Sequence, residues 1–171
     1  DERLIPAGQY INALNVRLGS TEGTEIGAVE NSKGNTQITT LRFQGAPISN
    51  EARCIGAYED GVNENIYWFV HDPANPVSAT GKVDLIVSLN TTTGIVDYHL
   101  ISVVNLNFNP QYLITGVDLI ENLLFWTDDF NPPRKININK SYGNPLGSTD
   151  TFTNEEINVI VKPPGFSSYL D

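Results

Sequence analysis

The fold is decided by Asn122-Leu123-Leu124-Phe125-Trp126-Thr127-Asp128 and the stretch that follows, Asn131-Pro132-Pro133-Arg134-Lys135-Ile136-Asn137-Ile138. A short apolar run with two aromatic residues ends at an acid and a proline-rich turn, after which isoleucines alternate with polar residues. This pattern predicts two antiparallel strands, the first of which is covered on both faces. By itself it indicates a β domain, without a substrate or a reaction.

An earlier part of the chain carries a first copy of the same pattern. Turn-forming residues separate four apolar runs, which predict four strands in meander order at 53–58, 66–70, 83–89 and 95–100. Placing Trp68 on Trp126 gives an offset of 58 residues and also places Tyr67 on Phe125. The second copy is expected to begin at residues 112–117 and to end near residue 140.

A repeat of roughly 40 to 50 residues with four strands is typical of a β-propeller blade. We therefore predict an all-β fold of antiparallel four-stranded sheets, with two blades of an incomplete β-propeller and an extended N-terminal arm. Two consecutive hairpin sheets in a sandwich give the same alternation and remain an alternative. A full ring has about four to eight blades. Together with the start at Asp1 and the end at Asp171, this leads us to expect a fragment of a longer polypeptide.

The chain ends are expected to differ from its centre. The first residues are rich in Gly, Asn, Thr and Ser, with strands predicted at 12–18 and 36–43 and a short apolar run at 26–29. Thr153-Asn154-Glu155-Glu156 matches a capping box, and the β-branched residues after it limit any helix to one or two turns. The predicted regions are an arm at 1–50, two blades at 51–150, and a capped helix with a Pro-rich exit linker at 151–171.

Composition excludes several classes of function. Twenty acids against ten bases give a net charge of −10, and the bases are scattered, so we predict no sequence-specific nucleic-acid binding. The chain has no apolar run long enough to span a membrane, so no membrane span is predicted. Cys54 is the single cysteine and is predicted to be a small apolar strand residue, because one cysteine cannot build a disulfide framework.

Side chains that could carry catalysis or bind a metal are few. His71 and His99 have no cysteine or histidine partner at metal-ligand spacing, so we predict no metal and no cofactor, and we place both histidines in loops or at strand edges. Asp128 and Asp129 are adjacent and would point to opposite faces of a strand, so they cannot act as a glycosidase pair.

The other candidate acids are predicted to be solvated turn residues, and we expect no catalytic residue and no enzyme activity. These acids are Asp60, Glu64, Asp72 and Asp118.

Phe125-Trp126-Thr127-Asp128 resembles the YWTD signature of receptor propellers. The resemblance implies that the aromatic pair fills the core between blades and that the acid fixes a turn. Arg134 would pair with Asp128 across an exposed proline turn. The first copy lacks the Thr-Asp half of the signature, and the cysteine-rich modules of such receptors are missing. A receptor-type ligand-binding propeller is therefore kept only as an alternative. The predicted blade anchors are Tyr67, Trp68, Phe125, Trp126, Thr127, Asp128 and Arg134.

A broader resemblance covers most of the chain. It rests on Asp1–Pro6, Gly8–Val16, Glu25–Asn31 with Lys33–Asn35, Leu124–Asp128 with Pro133–Asn137, and Glu155–Ile160 with Lys162–Pro164. Their order and spacing resemble the tail stabilisation proteins of short-tailed phages and the muzzle proteins of crAss-like phages.

That resemblance implies a structural virion protein with a propeller-like core. It would form a homo-oligomeric ring, a nozzle that extends the DNA exit channel of the tail, next to other tail or portal-proximal ring proteins. The protein would be assembled in the cytoplasm of the bacterial host and would function in the virion. An acidic channel lining would let DNA pass without adhering. The alternative is a carbohydrate-binding or glycan-processing propeller at the tail tip.

Overall fold

A computed structural model describes residues 16–19, 28–31 and 36–160 of the 171-residue chain. The chain divides into two compact units, residues 1–37 and 38–171. In the smaller unit, β1 (Val16–Gly19) pairs antiparallel with β2 (Ala28–Asn31). The predicted strand 12–18 overlaps β1, and its first four positions lie outside the described residues.

Two short strands open the larger unit. β3 (Arg42–Phe43) and β4 (Ala46–Pro47) pair antiparallel across a tight turn at Gln44 and Gly45, both of which have positive φ. The strand predicted over 36–43 is therefore limited to its last two residues. Phe43 is 1% exposed because this segment covers the neighbouring sheet, so residues 38–50, which were predicted as part of the arm, belong to the larger unit.

The first repeat forms a four-stranded antiparallel sheet. Its strands are β5 (Arg53–Asp60), β6 (Asn65–Asp72), β7 (Val83–Asn90) and β8 (Val96–Ser102), in the order β5-β6-β7-β8. The predicted four-strand meander is confirmed. The first seven residues of β7 are all buried, as expected for an inner strand covered on both faces.

The second repeat has three strands instead of the predicted four. β9 (Gly116–Ile120), β10 (Leu123–Thr127) and β11 (Arg134–Asn137) form an antiparallel sheet in the order β11-β10-β9. Residues 112–115, predicted to begin this copy as a strand, cross the edge of β5 instead. There the backbone N–H of Ile114 donates to the carbonyl of Ile55 at 2.8 Å.

The two sheets share one hydrophobic core. Side chains from both sheets, from the linker between them and from the end of the chain form it: Ile55, Tyr67, Phe69, Ile86, Leu100, Leu106, Phe108, Ile114, Leu124, Trp126, Ile136, Phe152 and Ile157. A second core covers the opposite face of the four-stranded sheet and contains Phe43, Val70, Val83, Leu85, Val87 and Ile101. Alternating side chains of the same strands therefore enter different cores.

The chain after β11 packs along both sheets. Tyr142 exchanges backbone hydrogen bonds with β8, and the backbone N–H of Asp150 donates to the carbonyl of Ile101 in the same strand. Val159 donates to the carbonyl of Pro133 at 2.9 Å. Helix α1 (Asn154–Ile157) is a single turn with both bonds of the predicted capping box, from the N-cap Thr153. Phe152 and Ile157 anchor residues 151–160 in the shared core, and the predicted Pro163-Pro164 exit lies outside the described residues.

None of the sheets in the described residues closes into a ring, so the observed architecture is all-β with antiparallel sheets and a single helical turn. Among those residues, no helix is both long enough and apolar enough to cross a membrane.

Candidate functional site

The centre of the shared core is an aromatic pair, Phe69 of β6 and Trp126 of β10. Their ring centroids lie 5.6 Å apart at an interplanar angle of 53°, and the residues are 0% and 2% exposed. Phe108 of the linker packs edge-on against Phe69, with centroids 6.2 Å apart. The interface between the sheets is therefore held by one aromatic side chain from each sheet and one from the segment that joins them.

The aromatic pair corrects the register of the repeat. Phe69 and Trp126 face the same core, whereas Trp68 packs against the second core. The structural offset is 57 residues, which places Phe69 on Trp126 and Glu64 on Glu121. Both glutamates have φ of 56° at the same point of a hairpin turn. The predicted offset of 58 was wrong by one residue, and such a slip moves every side chain to the other face of the strand.

The structure separates the predicted blade anchors into two groups. Tyr67, Trp126, Asp128 and Arg134 are buried, whereas Trp68 and Phe125 are half-buried and Thr127 is exposed. Trp126 lies directly opposite Arg134 on one side and Val117 on the other, so these three residues form one row across the sheet. Burial, followed by the charge of Asp60, raises the pKa of Tyr67.

Asp128 organises the turn after β10. Its Oδ1 accepts from the backbone N–H groups of Phe130 at 3.1 Å and Asn131 at 2.7 Å, and its Oδ2 accepts from Nδ2 of Asn131 at 2.7 Å. The carboxylate is 3% exposed, and three donors converge on it. A carboxylate held in this way is a turn-forming group and is not free for chemistry.

The same Asp-x-x-Asn turn occurs twice more, which the sequence reasoning missed. Asp60 accepts from the backbone of Asn63 and from its Nδ2, at 3.2 and 2.7 Å. Asp72 accepts from Nδ2 of Asn75 at 2.9 Å. The detectable signal is an aspartate three residues before an asparagine near the end of a strand. A proline follows Asn75 and Asn131.

These contacts correct the prediction of solvated turn acids. Asp60 and Asp72 are 7% and 0% exposed, and Asp118 lies within β9 rather than in a turn; Glu64 is an exposed turn residue. Burial by itself would raise the pKa of Asp72, but hydrogen bonds from Ser49, Asn75 and a backbone N–H outweigh it and lower that pKa. Two of these acids are therefore structural, because they replace water with fixed hydrogen-bond donors.

Arg134 joins the three-stranded sheet to the linker between the sheets. It is 4% exposed. Its Nη1 donates to the carbonyl of Leu106, and its Nη2 donates to the carbonyl of Asn105 at 3.5 Å and to Oδ1 of Asn131 at 3.3 Å. A planar guanidinium can reach all three acceptors at once, which suits arginine better than lysine.

The predicted exposed pair between Arg134 and Asp128 is not formed. The described residues contain no such ion pair, and Asn131 stands between the two, accepting from Arg134 and donating to Asp128. Burial lowers the pKa of Arg134, while the charges of Asp128 and Asp84 oppose that shift. The reason for the error is that the turn packs against the linker and is not exposed to water.

The linker over residues 102–108 is also held by Asp150. Its Oδ1 accepts from Oγ of Ser102 at 2.5 Å and from the backbone N–H of Asn105 at 2.9 Å, and its Oδ2 accepts from the backbone N–H of Val103 at 2.8 Å. Burial would raise the pKa of Asp150, but these bonds lower it overall. The acid thus fixes the path of the chain from one sheet to the next.

His71 and His99 are buried strand residues, so their prediction as loop or strand-edge residues is wrong for His71, which lies in the inner strand β6. Nδ1 of His71 is 2.6 Å from Oδ1 of Asp84, and the other oxygen of Asp84 accepts from the backbone N–H of Phe108 at 3.0 Å. His99 lies in the edge strand β8.

His99 has both ring nitrogens occupied. Nδ1 is 3.1 Å from the carbonyl of Ile138, so it carries the proton, and Nε2 accepts from the hydroxyl of Ser88 at 2.8 Å. Burial lowers the pKa of His99, although the bond to the carbonyl and the charge of Asp97 act the other way. The ring is a neutral bridge between the two sheets.

Comparison with known proteins identifies the family of the chain. The family model for the Crassvirus muzzle protein matches residues 1–168. The chain belongs to the Crassvirus muzzle protein family. The muzzle protein of Bacteroides phage crAss001 is 27% identical over an alignment of 142 positions, and the match covers 75% of this chain and 9% of that relative. The muzzle-type resemblance predicted from the sequence is confirmed, and no solved structure matches the chain.

The described part of this muzzle-family chain holds its buried turn acids in structural hydrogen bonds. It has no group of three His, Cys, Asp or Glu side chains that could hold a metal ion. A glycosidase acid needs a raised pKa and a partner carboxylate across the sugar. The pKa of Asp72 is lowered instead, and Asp60 and Asp128 are occupied by turn donors. Cys54 lies in the edge strand β5, as predicted for a strand residue, and its side chain is exposed.

Proposed function

We propose that this chain is a structural segment of a phage virion, in which it forms part of a ring-shaped muzzle at the tail that extends the DNA exit channel. The observation that carries this proposal is the match of the muzzle family model to residues 1–168. The chain spans about 9% of the length of its relative, so the ring is a proposal about the assembly in which this segment takes part.

The chemistry of the described residues supports a structural role. Nearly every buried polar side chain is used to fix a turn, a linker or a sheet contact. Asp128 fixes a hairpin, Asp150 fixes the linker, and Arg134 joins the sheet to that linker. A virion component that has to withstand the passage of DNA needs such internal bonds more than it needs a flexible reactive site.

The propeller is part of this proposal. Two antiparallel sheets with one shared core, joined by a short linker, are compatible with adjacent blades of a ring. Within it, Tyr67, Phe69 and Trp126 would be the anchors between blades, and Asp128 and Arg134 would hold the loops at one end. The sandwich alternative differs in that its two sheets would need no further neighbours.

The net charge of −10 supports a channel through which DNA moves. Like charges repel, so an acidic surface keeps the duplex from adhering during ejection. We therefore expect duplex DNA to show no measurable binding to the chain at physiological salt, in a gel-shift or fluorescence-anisotropy titration. Strong binding that weakens with salt would indicate a basic surface and would contradict this part of the proposal.

Labelling of intact virions tests the location. An antibody raised against the chain, detected by electron microscopy, should bind at the free end of the tail, and averaged images of the labelled structure should show rotational symmetry. The mass of the native assembly, measured on the protein isolated from virions, should be a multiple of the protomer mass. Virions without label, or a stable monomer at high concentration, would refute the ring.

A carbohydrate-binding role is a second candidate, favoured by one observation. Tyr112 and Phe130 form an exposed stacked pair, with centroids 5.2 Å apart and exposures of 37% and 48%. Exposed aromatic rings present an apolar face on which a sugar ring can pack. A screen of host glycans should then detect binding that Tyr112→Ala removes and that Tyr58→Ala, in strand β5, does not. Absence of any glycan binding removes this candidate.

A further inference from the structure

A cavity of about 590 Å³ lies between the beginning of β5, the end of β6 and the linker that precedes β9. Its polar lining consists of Asn50, Glu51, Arg53, His71 and Gln111. This cavity has no part in the shared core or in the proposed muzzle function.

Buried Asp72 fixes two walls of the cavity. It is 0% exposed, and its carboxylate accepts from the backbone N–H of Ser49 at 2.9 Å and from the hydroxyl of the same residue. It also accepts from the backbone N–H of Ala74 at 3.2 Å. One acid therefore positions the residue before Asn50 and both neighbours of Pro73, so these walls are held before any ligand arrives.

Buried Asp84 fixes the remaining wall. It is also 0% exposed, and it binds Nδ1 of His71 at 2.6 Å and the backbone N–H of Phe108 at 3.0 Å. The imidazole and the linker segment near Gln111 are thus set by the same carboxylate. The backbone of these walls is therefore ordered before a ligand binds, whereas the side chains of Arg53 and Gln111 are exposed and have to be ordered on binding.

The cavity brings together groups that suit an anion. Oδ1 of Asp84 accepts from Nδ1 of His71, so the imidazole is a fixed part of the cavity wall. Arg53 forms no ion pair with any carboxylate of the described residues, including neighbouring Glu51. The guanidinium of Arg53 and the side-chain amides of Asn50 and Gln111, which can donate to an anion, therefore line one concave site on a chain with a net charge of −10.

We propose that this cavity binds a carboxylate, presented by an acidic side chain of a neighbouring protein subunit. The planar fork of Arg53 matches a carboxylate in a bidentate arrangement. Glu51 on the same lining disfavours the higher charge of a phosphate group more than the single charge of a carboxylate. The chain's own acids outnumber its bases two to one, so a site of this kind would join acidic subunits that otherwise repel.

The test is an NMR titration of the 171-residue chain with sodium acetate at constant ionic strength. The His71 ring signals and the Arg53 Nε–H signal should shift together and saturate, while the His99 ring signals stay in place. Arg53→Gln should weaken acetate binding at least tenfold. Arg42→Gln is the matched control, because Arg42 lies in β3, away from the cavity lining, and donates to the carbonyl of Gly45. This variant should leave binding unchanged.

Further arms of the same titration distinguish the alternatives. The peptide acetyl-Ala-Glu-Ala-amide should bind, and its glutamine counterpart should not. Inorganic phosphate that binds more tightly than acetate, or glucose that binds equally well, would overturn the assignment to a carboxylate. If acetate binds and the glutamate peptide does not, the proposal that the carboxylate comes from a protein side chain is wrong.

A last variant guards against a folding defect. Arg53→Lys keeps the charge without the fork and should bind acetate several-fold more weakly than the native chain; unchanged binding would show that the fork is not used. These results do not depend on the mass of the assembly, so the cavity and the proposed ring can fail separately.

Discussion

Trp68 and Trp126, which the predicted offset of 58 residues aligned, lie in different hydrophobic cores. Trp126 is 2% exposed in the core that joins the two sheets, whereas Trp68 is half-buried and packs with the residues that cover the opposite face of the four-stranded sheet. The residue that corresponds to Trp126 in three dimensions is Phe69, its partner across the core.

This difference predicts unequal effects of truncation. Trp126→Ala should lower the free energy of unfolding by about 3–5 kcal/mol, because a large buried aromatic side chain is replaced by a cavity. Trp68→Ala should cost less than about 2 kcal/mol, because part of its ring already contacts water. Urea unfolding followed by circular dichroism measures both. Equal losses would show that the second core is as important for stability as the first.

The turn acid Asp128 should be sensitive to a small change. Asp128→Asn should lower the free energy of unfolding by about 1.5–3 kcal/mol, because the charge is lost and the Oδ2 that accepts from Nδ2 of Asn131 is replaced by an amide donor. Asp129→Asn removes the same charge from the next residue, which is exposed and has φ of 53°, a conformation that asparagine tolerates. The control should change stability by less than about 0.5 kcal/mol. Similar losses in both variants would argue against a specific turn role.

Arg134 should matter through its hydrogen bonds. Arg134→Met keeps much of the side-chain volume but removes the donor for the carbonyl of Leu106, which should cost about 1–3 kcal/mol. Lys135→Met, one residue along β11 and half-buried, should change stability by less than about 0.5 kcal/mol. Thermal unfolding of both variants gives the comparison. If Arg134→Met is as stable as the native chain, the hydrogen bonds from Arg134 to the linker do not contribute to stability.

Gly56 should not tolerate a methyl group. A Cβ at this position of β5 would lie 2.7 Å from Cβ of Ile114 and 2.9 Å from its carbonyl oxygen, where the linker crosses the strand edge. Gly56→Ala should therefore cost about 1–3 kcal/mol through overpacking. At Gly147 an added Cβ meets nothing within 4 Å, so Gly147→Ala is the matched control and should be close to neutral. A stable Gly56→Ala protein would show that the linker can move away.

Stability should fall in two steps as the pH is lowered. The folded-state pKa of His99 lies below its ordinary value of 6.5, so its stabilising contribution is complete above that value and is lost as the pH falls through the folded pKa. The pKa values of Asp72 and Asp150 lie below 3.8, so their contribution is complete above about pH 4 and is lost at more acidic pH.

Urea midpoints measured from pH 8 to pH 3 test this order. His99→Gln should remove the step that begins near pH 6.5, and Asp150→Asn should reduce the acidic step. A midpoint that rises between pH 6.5 and pH 5 would have the wrong sign and would contradict the assignment of His99 as a neutral buried ring.

Local pattern was enough to predict the strands of the four-stranded sheet. Alternation and turn residues act over a few positions, so the runs at 53–58 and 83–89 led to β5 and β7 with small errors at their ends. The capping box at Thr153 was also predictable, because its two hydrogen bonds join residues three positions apart. Family motifs added the muzzle assignment, which no periodicity could provide.

The sequence by itself determined that this chain is an all-β protein of antiparallel sheets in the muzzle family, because strand periodicity and motif order are written in consecutive residues. Only the tertiary structure decided that Phe69 and not Trp68 meets Trp126, that Arg134 is buried against the linker, and that Asp72 and Asp84 hold the walls of one cavity. Those contacts join residues that are far apart in the chain, and Phe69 and Trp126 are separated by 57 positions. They depend on register and on how the sheets pack, and a one-residue slip that barely changes the local pattern reverses them.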